Sequence, residues 1–237
     1  MIAVPAVLIL GLAAFGVLES RRHAKNLAAI PLRVHVNGTR GKSSVTRLIA
    51  AGLRAGGLRT FAKTTGTMAR MILPDGTEVD VYRPGRANII EQIRIVRRAV
   101  EERAEALVIE CMAVAPDLQP ITEQRLVRST IGVITNVRAD HLDVMGPSVD
   151  DAARVLAMTM PVRGIVFTAE RERRSILEAE AAARGSSLRL SDASTVTEAD
   201  LARFSYVEHA ENVALALDVC ARIGVGRAAA LAGMVAA

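Results

Sequence analysis

Residues 32–44 read LRVHVNGTRGKSS. The first six predict a short strand, and a helix is predicted from Lys42 to Ala55, before a pair of glycines. Between the strand and the helix, glycines allow backbone N–H groups to surround a phosphate, and the helix N-terminus adds the positive end of its dipole. The segment therefore predicts a phosphate-binding loop.

The side chains of this loop suit a nucleotide with its metal ion. In loops of this kind the lysine reaches the terminal phosphates and the hydroxyl after it can bind Mg²⁺. The usual loop has four residues between its glycines, whereas this one has two. The predicted nucleotide-binding residues are Gly38, Thr39, Arg40, Gly41, Lys42, Ser43 and Ser44.

Strands and helices are predicted to alternate along the rest of the chain. Further strands are expected at 58–64, 107–111, 130–136 and 164–168, and helices at 87–103, 149–160, 170–183, 209–223 and 227–235. A hairpin is predicted around Pro74-Asp75-Gly76, because proline and glycine supply the dihedral angles of a tight turn. The alternation predicts an α/β fold of the P-loop type, with a mainly parallel sheet flanked by helices.

Composition is consistent with a folded enzyme domain and does not indicate a nucleic-acid-binding protein. Hydrophobic residues make up 51% of the 237 residues and charged residues 23%, so a sizeable core can form. The net charge of +5 comes with 27 arginines and three lysines. No nucleic-acid recognition motif or aromatic stacking surface accompanies this charge, so no nucleic-acid partner is expected.

The N-terminal segment is predicted to be a transmembrane anchor over residues 1–19. Residues 1–18 contain no charged side chain and would span about 27 Å as a helix. Arg21, Arg22 and Lys25 follow, which predicts a single-pass protein of the cell membrane with its catalytic part in the cytoplasm. The alternative is a buried core helix, because Pro5 weakens the segment as a membrane span.

The short loop GTRGKSS resembles that of Mur ligases and folylpolyglutamate synthases, which join a carboxylate to an amino acid through an acyl phosphate. The resemblance implies ATP and Mg²⁺ as cofactors, with Lys42 as a catalytic residue. Thr65 lies in a segment similar to the second threonine-rich loop of these enzymes and is expected to bind the metal together with Ser43. Glu110 ends an apolar strand where the family has an acidic metal ligand. His141, in NVRADHLDVMG (136–146), matches the histidine that serves a second metal ion.

These assignments have simpler alternatives. Residues 64–67 could form only a turn, Glu110 could be a solvated strand end, and His141 could belong to a helix-capping cluster with its neighbouring aspartates. A carboxylate at the C-terminal edge of a parallel sheet nevertheless lies where ligands bind. Glu110 and His141 are therefore predicted to be catalytic residues and metal ligands.

Two further segments resemble the ligase subunit of poly-γ-glutamate synthase more than the cell-wall enzymes. They are RPGRANIIEQ (83–92) and YVEHAENVA (206–214). The resemblance implies glutamate and a growing poly-γ-glutamate chain as substrates, and other membrane subunits as partners. Arg83 and Arg86 are candidates for substrate carboxylates, or are solvated. His209 and Asn212 are expected at the adenine, with helix capping as the alternative.

The sequence departs from the Mur pattern in two respects. No lysine follows Lys63, whereas Mur enzymes usually carry a carbamylated lysine after the histidine motif, so a second metal is expected to be held differently or more weakly. The resemblance covers about 32–234, and an ATP-binding domain is expected over 31–237. A further C-terminal domain of Mur-type ligases would begin near Ala237, so the site is expected to be completed by more chain or by a partner.

Taken together, the motifs predict an ATP-dependent amide ligase that makes poly-γ-glutamate at the membrane. One alternative is a nucleotide-binding assembly or regulatory subunit with little turnover, which the missing lysine and C-terminal domain favour. Another is a ligase similar to folylpolyglutamate synthase, which the apolar N-terminus disfavours. A small-molecule kinase is the weakest alternative, because it leaves the hairpin and residues 136–146 without a role.

Overall fold

The computed structural model describes residues 3–66, 68–83 and 85–237. Its strands are β1 (Leu32–Asn37), β2 (Thr60–Lys63), β3 (Arg70–Ile72), β4 (Glu78–Asp80), β5 (Ala106–Glu110), β6 (Ile131–Ile134), β7 (Ile165–Thr168) and β8 (Ser187–Leu190). Its helices are α1 (Ala3–Ala28), α2 (Lys42–Ala55), α3 (Glu91–Glu101), α4 (Leu118–Ile121), α5 (Leu142–Met145), α6 (Val149–Ala157), α7 (Arg174–Ala183), α8 (Glu198–Leu201), α9 (Ala210–Ile223) and α10 (Arg227–Val235). A π-helical turn over Thr122–Val127 continues α4, and a 3-10 turn covers Ala193–Thr195.

The strands form one eight-stranded sheet in the order β4-β3-β2-β5-β1-β6-β7-β8. Strands β2, β5, β1, β6, β7 and β8 are parallel, while β3 and β4 form the antiparallel hairpin at one edge. The predicted α/β fold with a mainly parallel sheet is therefore confirmed. Because β1 lies near the middle, the loop that follows it emerges at the C-terminal edge between β5 and β6, where open α/β sheets bind ligands.

Helices cover both faces of the sheet. On one face α2, α9 and α10 bury aliphatic side chains such as Val34, Leu48 and Leu215. On the other face, α3 and the end of α1 pack over β2 and β5 around Phe61 and Leu107, and α6 and α7 cover β6 and β7. The chain contains no tryptophan. Its core is accordingly built mainly from alanine, valine, leucine and isoleucine.

The structure of helix α1 supports neither of the two N-terminal expectations. Among residues 3–66, 68–83 and 85–237, no helix combines the length and the apolar character needed to cross a membrane. The predicted transmembrane anchor over 1–19, whose first two residues lie outside the described residues, is therefore not supported. The apolar part continues without a break into a charged part, and Leu27 in that part is buried against the domain. Leu8, Leu12 and other apolar side chains of the first part are exposed, so that part is not a buried core helix either.

The helix expected from residue 170 begins later, at Arg174. The reason is the buried carboxylate of Glu170, which accepts N–H bonds from Val137, Glu172 and Arg173. These bonds hold residues 170–173 in a loop, because the backbone donors are satisfied by a side chain instead of by a helix.

Candidate active site

The loop between β1 and α2 contains two glycines at positions where a larger side chain would strain the backbone. Gly38 has φ 130° and Gly41 has φ 80°, both in the left-handed region. A Cβ on Gly38 would stand 2.8 Å from the backbone nitrogen of Thr135. The loop is thus packed directly against the end of β6, and glycine is required at its first position.

Hydrogen bonds from the segment after β6 fix the shape of this loop. The Thr39 N–H donates to the Asn136 carbonyl over 3.0 Å, and the Arg40 N–H donates to Asn136 Oδ1 over 3.1 Å. The Thr135 hydroxyl donates to the Arg40 carbonyl over 2.6 Å. Asn136, part of the motif singled out in the sequence, therefore supports the loop.

Lys42 begins α2 and turns its side chain back over the loop. Its Nζ donates to the carbonyl oxygens of Gly38 and Thr39, at 2.6 and 3.1 Å. Burial lowers the pKa of Lys42, and the negative charge of Glu110 acts in the opposite direction. The ammonium group is thus held inside the curve of the loop, where the phosphates of a nucleotide would lie.

Ser43, Thr65 and Glu110 meet at the ends of three different elements. The Ser43 hydroxyl donates to Glu110 Oε2 over 2.8 Å, and the Thr65 backbone N–H donates to the same oxygen over 2.7 Å. Glu110 is the last residue of β5 and is only 3% exposed. It is therefore not a solvated strand end. Oxygen atoms are the ligands that Mg²⁺ prefers, so the Glu110 carboxylate and the Ser43 hydroxyl fit the predicted metal, while the observed contact of Thr65 is made by its backbone N–H.

A cavity of about 180 Å³ opens beside these groups at the C-terminal edge of the sheet. The predicted site residues that line it are Gly38, Thr39, Lys42, Thr65, Arg83 and His141. The predicted residues that do not line it are Arg40, Gly41, Ser43, Ser44, Glu110, Arg86, His209 and Asn212. The structure thus brings the phosphate loop, one metal candidate from the threonine-rich segment and one substrate candidate to the same cavity.

His141 lies at the rim of the cavity with a half-exposed side chain. Its backbone is left-handed, with φ 50°, and it caps α5 without a side-chain hydrogen bond. Its Nε2 is 3.9 Å from Asp140 Oδ1, and Asp140 in turn pairs with Arg40. No group of three histidine, cysteine or acidic side chains suited to a metal occurs within the described part of the chain. The role of His141 as a metal ligand stays a prediction.

The two substrate candidates have different surroundings. Arg83 lines the cavity, and its Nε and Nη2 donate to the carboxylate of Glu91 at 2.6 and 3.1 Å. The Nζ of Lys63 lies 2.9 Å from the same carboxylate. Arg86 is exposed and does not line the cavity, as its solvated alternative requires. Sequence reasoning missed Lys63 and Glu91, although a lysine near the end of a predicted strand was a visible signal.

The adenine candidates lie at the start of α9. Asn212 is buried, and its Oδ1 lies 2.8 Å from the point that a Cβ on Gly41 would occupy. Its Nδ2 donates to Glu208 Oε1 over 2.8 Å. His209 is exposed and its side chain does not cap the helix. Asn212 therefore contacts the phosphate loop, whereas the adenine role of both residues stays a prediction.

A buried polar layer beneath the cavity was also missed by the sequence analysis. His35 Nδ1 lies 2.8 Å from Glu123 Oε2, and Asn37 Nδ2 donates to Gln119 Oε1 over 2.7 Å. Burial by itself lowers the pKa of His35, but the Cys111 thiol and the Glu123 carboxylate outweigh this effect and raise it to about 9. The available signal was the alternation of apolar and polar residues in β1, where both faces of the strand are covered.

Comparison with known proteins agrees with this arrangement. The model of the Mur ligase middle domain matches residues 36–214. The chain is 42% identical over 221 residues to the PGA synthase CapB of Bacillus subtilis (strain 168), covering 92% of the chain and 56% of that protein. It is 40% identical over 222 residues to the capsule biosynthesis protein CapB of Bacillus anthracis, covering 93% and 48%. The chain thus spans about half the length of these relatives.

A solved structure shares the fold at much lower sequence identity. It is the bifunctional folylpolyglutamate synthase/dihydrofolate synthase of Yersinia pestis complexed with AMPPNP and a Mn ion. The two folds agree with a TM-score of 0.70 at 16% identity, over 92% of this chain and 61% of that one. Since the family match extends over most of the chain and includes the phosphate loop, Glu110 and His141, the chain belongs to the Mur ligase family.

Proposed function

We propose that this chain is the nucleotide-binding part of an ATP-dependent amide ligase that joins glutamate units into poly-γ-glutamate. The observation that carries the proposal is the meeting of Ser43, Thr65 and Glu110 beside the phosphate loop. Such a group is suited to hold the metal ion of a metal–triphosphate complex. The Bacillus relatives named PGA synthase CapB and capsule biosynthesis protein CapB support glutamate as the substrate.

The cofactors proposed are ATP and Mg²⁺. Ser43, Thr65 and Glu110 would hold the metal, and a bound divalent ion would neutralise charge on the transferred phosphoryl group. A Mg²⁺ ion usually takes one or two carboxylates and completes its shell with phosphate oxygens and water, so this small oxygen set is adequate. The Yersinia pestis structure, which contains AMPPNP and a Mn ion, supports a nucleotide and a divalent metal as the ligands.

The chain's own residues would act mainly by position and charge. Lys42 would exchange the carbonyls of its loop for phosphate oxygens, and the N-terminus of α2 would bind the phosphates through backbone N–H groups. A substrate carboxylate would attack the terminal phosphorus, forming an acyl phosphate and releasing ADP. The amine of the next glutamate would then displace phosphate and form the amide. This scheme requires orientation of two reactants and no nucleophilic side chain.

We also propose that the ATP-binding domain, over residues 31–237, works at a membrane together with other synthase subunits. The support is the exposed apolar surface of α1, where Leu8, Leu12 and Phe15 face outwards. Arg21 and Arg22 follow on the same helix and would favour an anionic lipid surface.

The test is phosphate release from ATP, with and without glutamate, by the protein in membranes that contain its companion subunits. Wild-type protein should release phosphate in a glutamate-dependent manner, and Lys42→Met should reduce this rate by about 100-fold or more. Arg154→Met, which removes an exposed cation on α6, is the matched control and should keep the wild-type rate. Undiminished glutamate-dependent turnover in Lys42→Met would contradict the proposal.

The same assay separates the alternatives. The fold shared with folylpolyglutamate synthase favours a ligase that adds glutamate to a folate, and such an enzyme would need a pteroylglutamate acceptor before releasing phosphate. An assembly or regulatory subunit would bind ATP and release no phosphate with any acceptor, even beside its companions.

A further inference from the structure

Three charged side chains form a connected group that reaches the active-site cavity through Arg83. The carboxylate of Glu91, at the start of α3, receives two hydrogen bonds from the guanidinium of Arg83. The same carboxylate lies 2.9 Å from the ammonium of Lys63, at the end of β2. Lys63 and Thr65 are separated by one residue, so this group adjoins the proposed metal ligands.

Burial makes the charge balance of this group unusual. The side chain of Lys63 is fully buried, that of Glu91 is 3% exposed, and that of Arg83 is 23% exposed. Two cations share one carboxylate, so the group carries one net positive charge. Buried charges are costly when they are not fully paired. The second close contact of Lys63 is the sulfur of Met112 at 3.7 Å, which is only a weak acceptor.

The pKa of Glu91 agrees with a carboxylate shared by two basic groups. Burial raises the pKa of Glu91, but the bonds from Arg83 and Lys63 outweigh that effect and hold it below its usual value. Glu91 is therefore ionised at neutral pH, and both basic side chains contact the same carboxylate.

The geometry of Arg83 shows how a second anion can be bound. A guanidinium group has a side edge, formed by Nε and one terminal nitrogen, and an end edge formed by the two terminal nitrogens. Glu91 occupies the side edge through Nε and Nη2. Within the described residues, Nη1 makes no hydrogen bond, and Arg83 lines the cavity together with Lys42. The end edge can thus bind a carboxylate through two parallel bonds.

We propose that Arg83 binds a carboxylate of the substrate through its end edge, that Glu91 positions Arg83 for this purpose, and that Lys63 keeps the site net positive. The inference rests on the proposed function for the identity of the substrate. It goes further by assigning the recognition of one carboxylate to a particular edge of Arg83 and by giving roles to Lys63 and Glu91. The carboxylate belongs either to the incoming glutamate or to the end of the growing chain.

The first experiment measures initial rates of glutamate-dependent phosphate release by the membrane-bound enzyme. Concentrations of ATP, glutamate and a γ-glutamyl oligomer are varied separately. Arg83→Gln and Lys63→Met should raise the KM for one carboxylate substrate by about 10- to 100-fold and change the KM for ATP little. The affected substrate, glutamate or oligomer, identifies the source of the carboxylate. Arg83→Lys should recover part of the loss, because it restores the charge without the two-bond edge.

Controls separate recognition from a purely structural role. Arg98→Gln removes a surface ion pair between Arg98 of α3 and Glu102, which directly follows that helix, and should leave all kinetic constants unchanged. Glu91→Gln should give a smaller increase in the same KM, since Arg83 remains but is less firmly oriented. If Lys63→Met fails to fold, Arg83→Gln decides the question, because Arg83 lies in a loop and is partly exposed.

A second experiment does not depend on turnover. Calorimetry is carried out in the presence of a non-hydrolysable ATP analogue. One series measures the binding of glutamate, its α-amide and its γ-amide. The other series measures the binding of the γ-glutamyl oligomer and its terminal amides. Wild-type protein should bind the amide that lacks the recognised carboxylate less tightly than the unmodified ligand. Arg83→Gln should lose this discrimination. Equal discrimination in a folded Arg83→Gln, for both ligands, would overturn the inference. Absence of glutamate-dependent phosphate release in wild-type protein would instead refute the proposed function.

Discussion

The hydroxyl of Ser43 donates a 2.8 Å hydrogen bond to Oε2 of Glu110, a residue 67 positions further along the chain. The same oxygen accepts the backbone N–H of Thr65 over 2.7 Å. One buried carboxylate therefore joins the phosphate loop, the end of β5 and the threonine-rich segment after β2. Removal of its charge should affect the binding of a metal more than the fold, because an amide can keep part of these bonds.

We predict that Glu110→Gln weakens the use of Mg²⁺. The glutamine side chain keeps the shape and an acceptor oxygen, but it loses the negative charge that attracts the ion. The Mg²⁺ concentration for half-maximal ATP hydrolysis should rise by about 10- to 100-fold. The measurement is phosphate release during a Mg²⁺ titration, with Glu101→Gln on the exposed end of α3 as the control. Identical titration curves for Glu110→Gln and wild-type protein would exclude Glu110 as a metal ligand.

A second prediction concerns the first glycine of the loop. Gly38→Ala places a methyl group 2.8 Å from the Thr135 backbone nitrogen, at a φ of 130°. Gly76→Ala, in the hairpin turn, also has a positive φ but meets no atom within 4 Å. Both should lose about 1–2 kcal/mol through backbone strain, and Gly38→Ala should lose about 1–3 kcal/mol more through the clash. Denaturant unfolding measures the difference, and equal losses would show that the loop can move away from β6.

A third prediction concerns pH. The pKa of His35 is raised to about 9 in the folded protein, above its ordinary value of 6.5, so its stabilising effect is complete below pH 6.5. The effect should be lost as the pH rises through about 9, and its full size is about 3 kcal/mol. The free energy of unfolding, measured by urea between pH 6 and pH 9.5, should therefore fall. Glu123→Gln removes the carboxylate and should reduce this dependence, with the Cys111 thiol retaining part of it, whereas equal slopes would argue against the ion pair.

The parts of the fold that were predicted correctly are those with a local signal. The strand–loop–helix unit around Gly38, the hairpin at Pro74 and the long amphipathic helices each carry their own pattern of residues. Strand β8 was missed because it lies at the edge of the sheet and alternates exposed and half-exposed residues in only four positions. The helical segment from Leu118 through the π-helical turn was not predicted, and Pro120 in its first turn weakens the sequence signal for a helix.

The candidate site was predicted where a motif names its residues, and missed where the residues meet only in three dimensions. Lys42 and Thr65, which line the cavity, were selected as candidates because their neighbours resemble known loops. Glu91 was overlooked because its importance comes from Lys63 and Arg83, which approach it only after β2 and α3 pack together. Hydropathy describes only the first part of helix α1, whereas its charged second part contacts the domain through residues such as Leu27.

The last prediction concerns those contacts of α1. Nη1 of Arg33 donates to the carbonyl of Leu27 over 3.1 Å, and its Nε donates to Val127 over 3.2 Å, so one guanidinium joins α1, β1 and the π-helical turn. Arg33→Met should cost about 2–4 kcal/mol, because charge-assisted bonds are lost and carbonyls are left unpaired. It should also free the end of α1, so that trypsin cleaves after Lys25 faster than in wild-type protein or in Arg154→Met. Unchanged stability and cleavage would mean that apolar packing of Leu27 alone holds the helix in place.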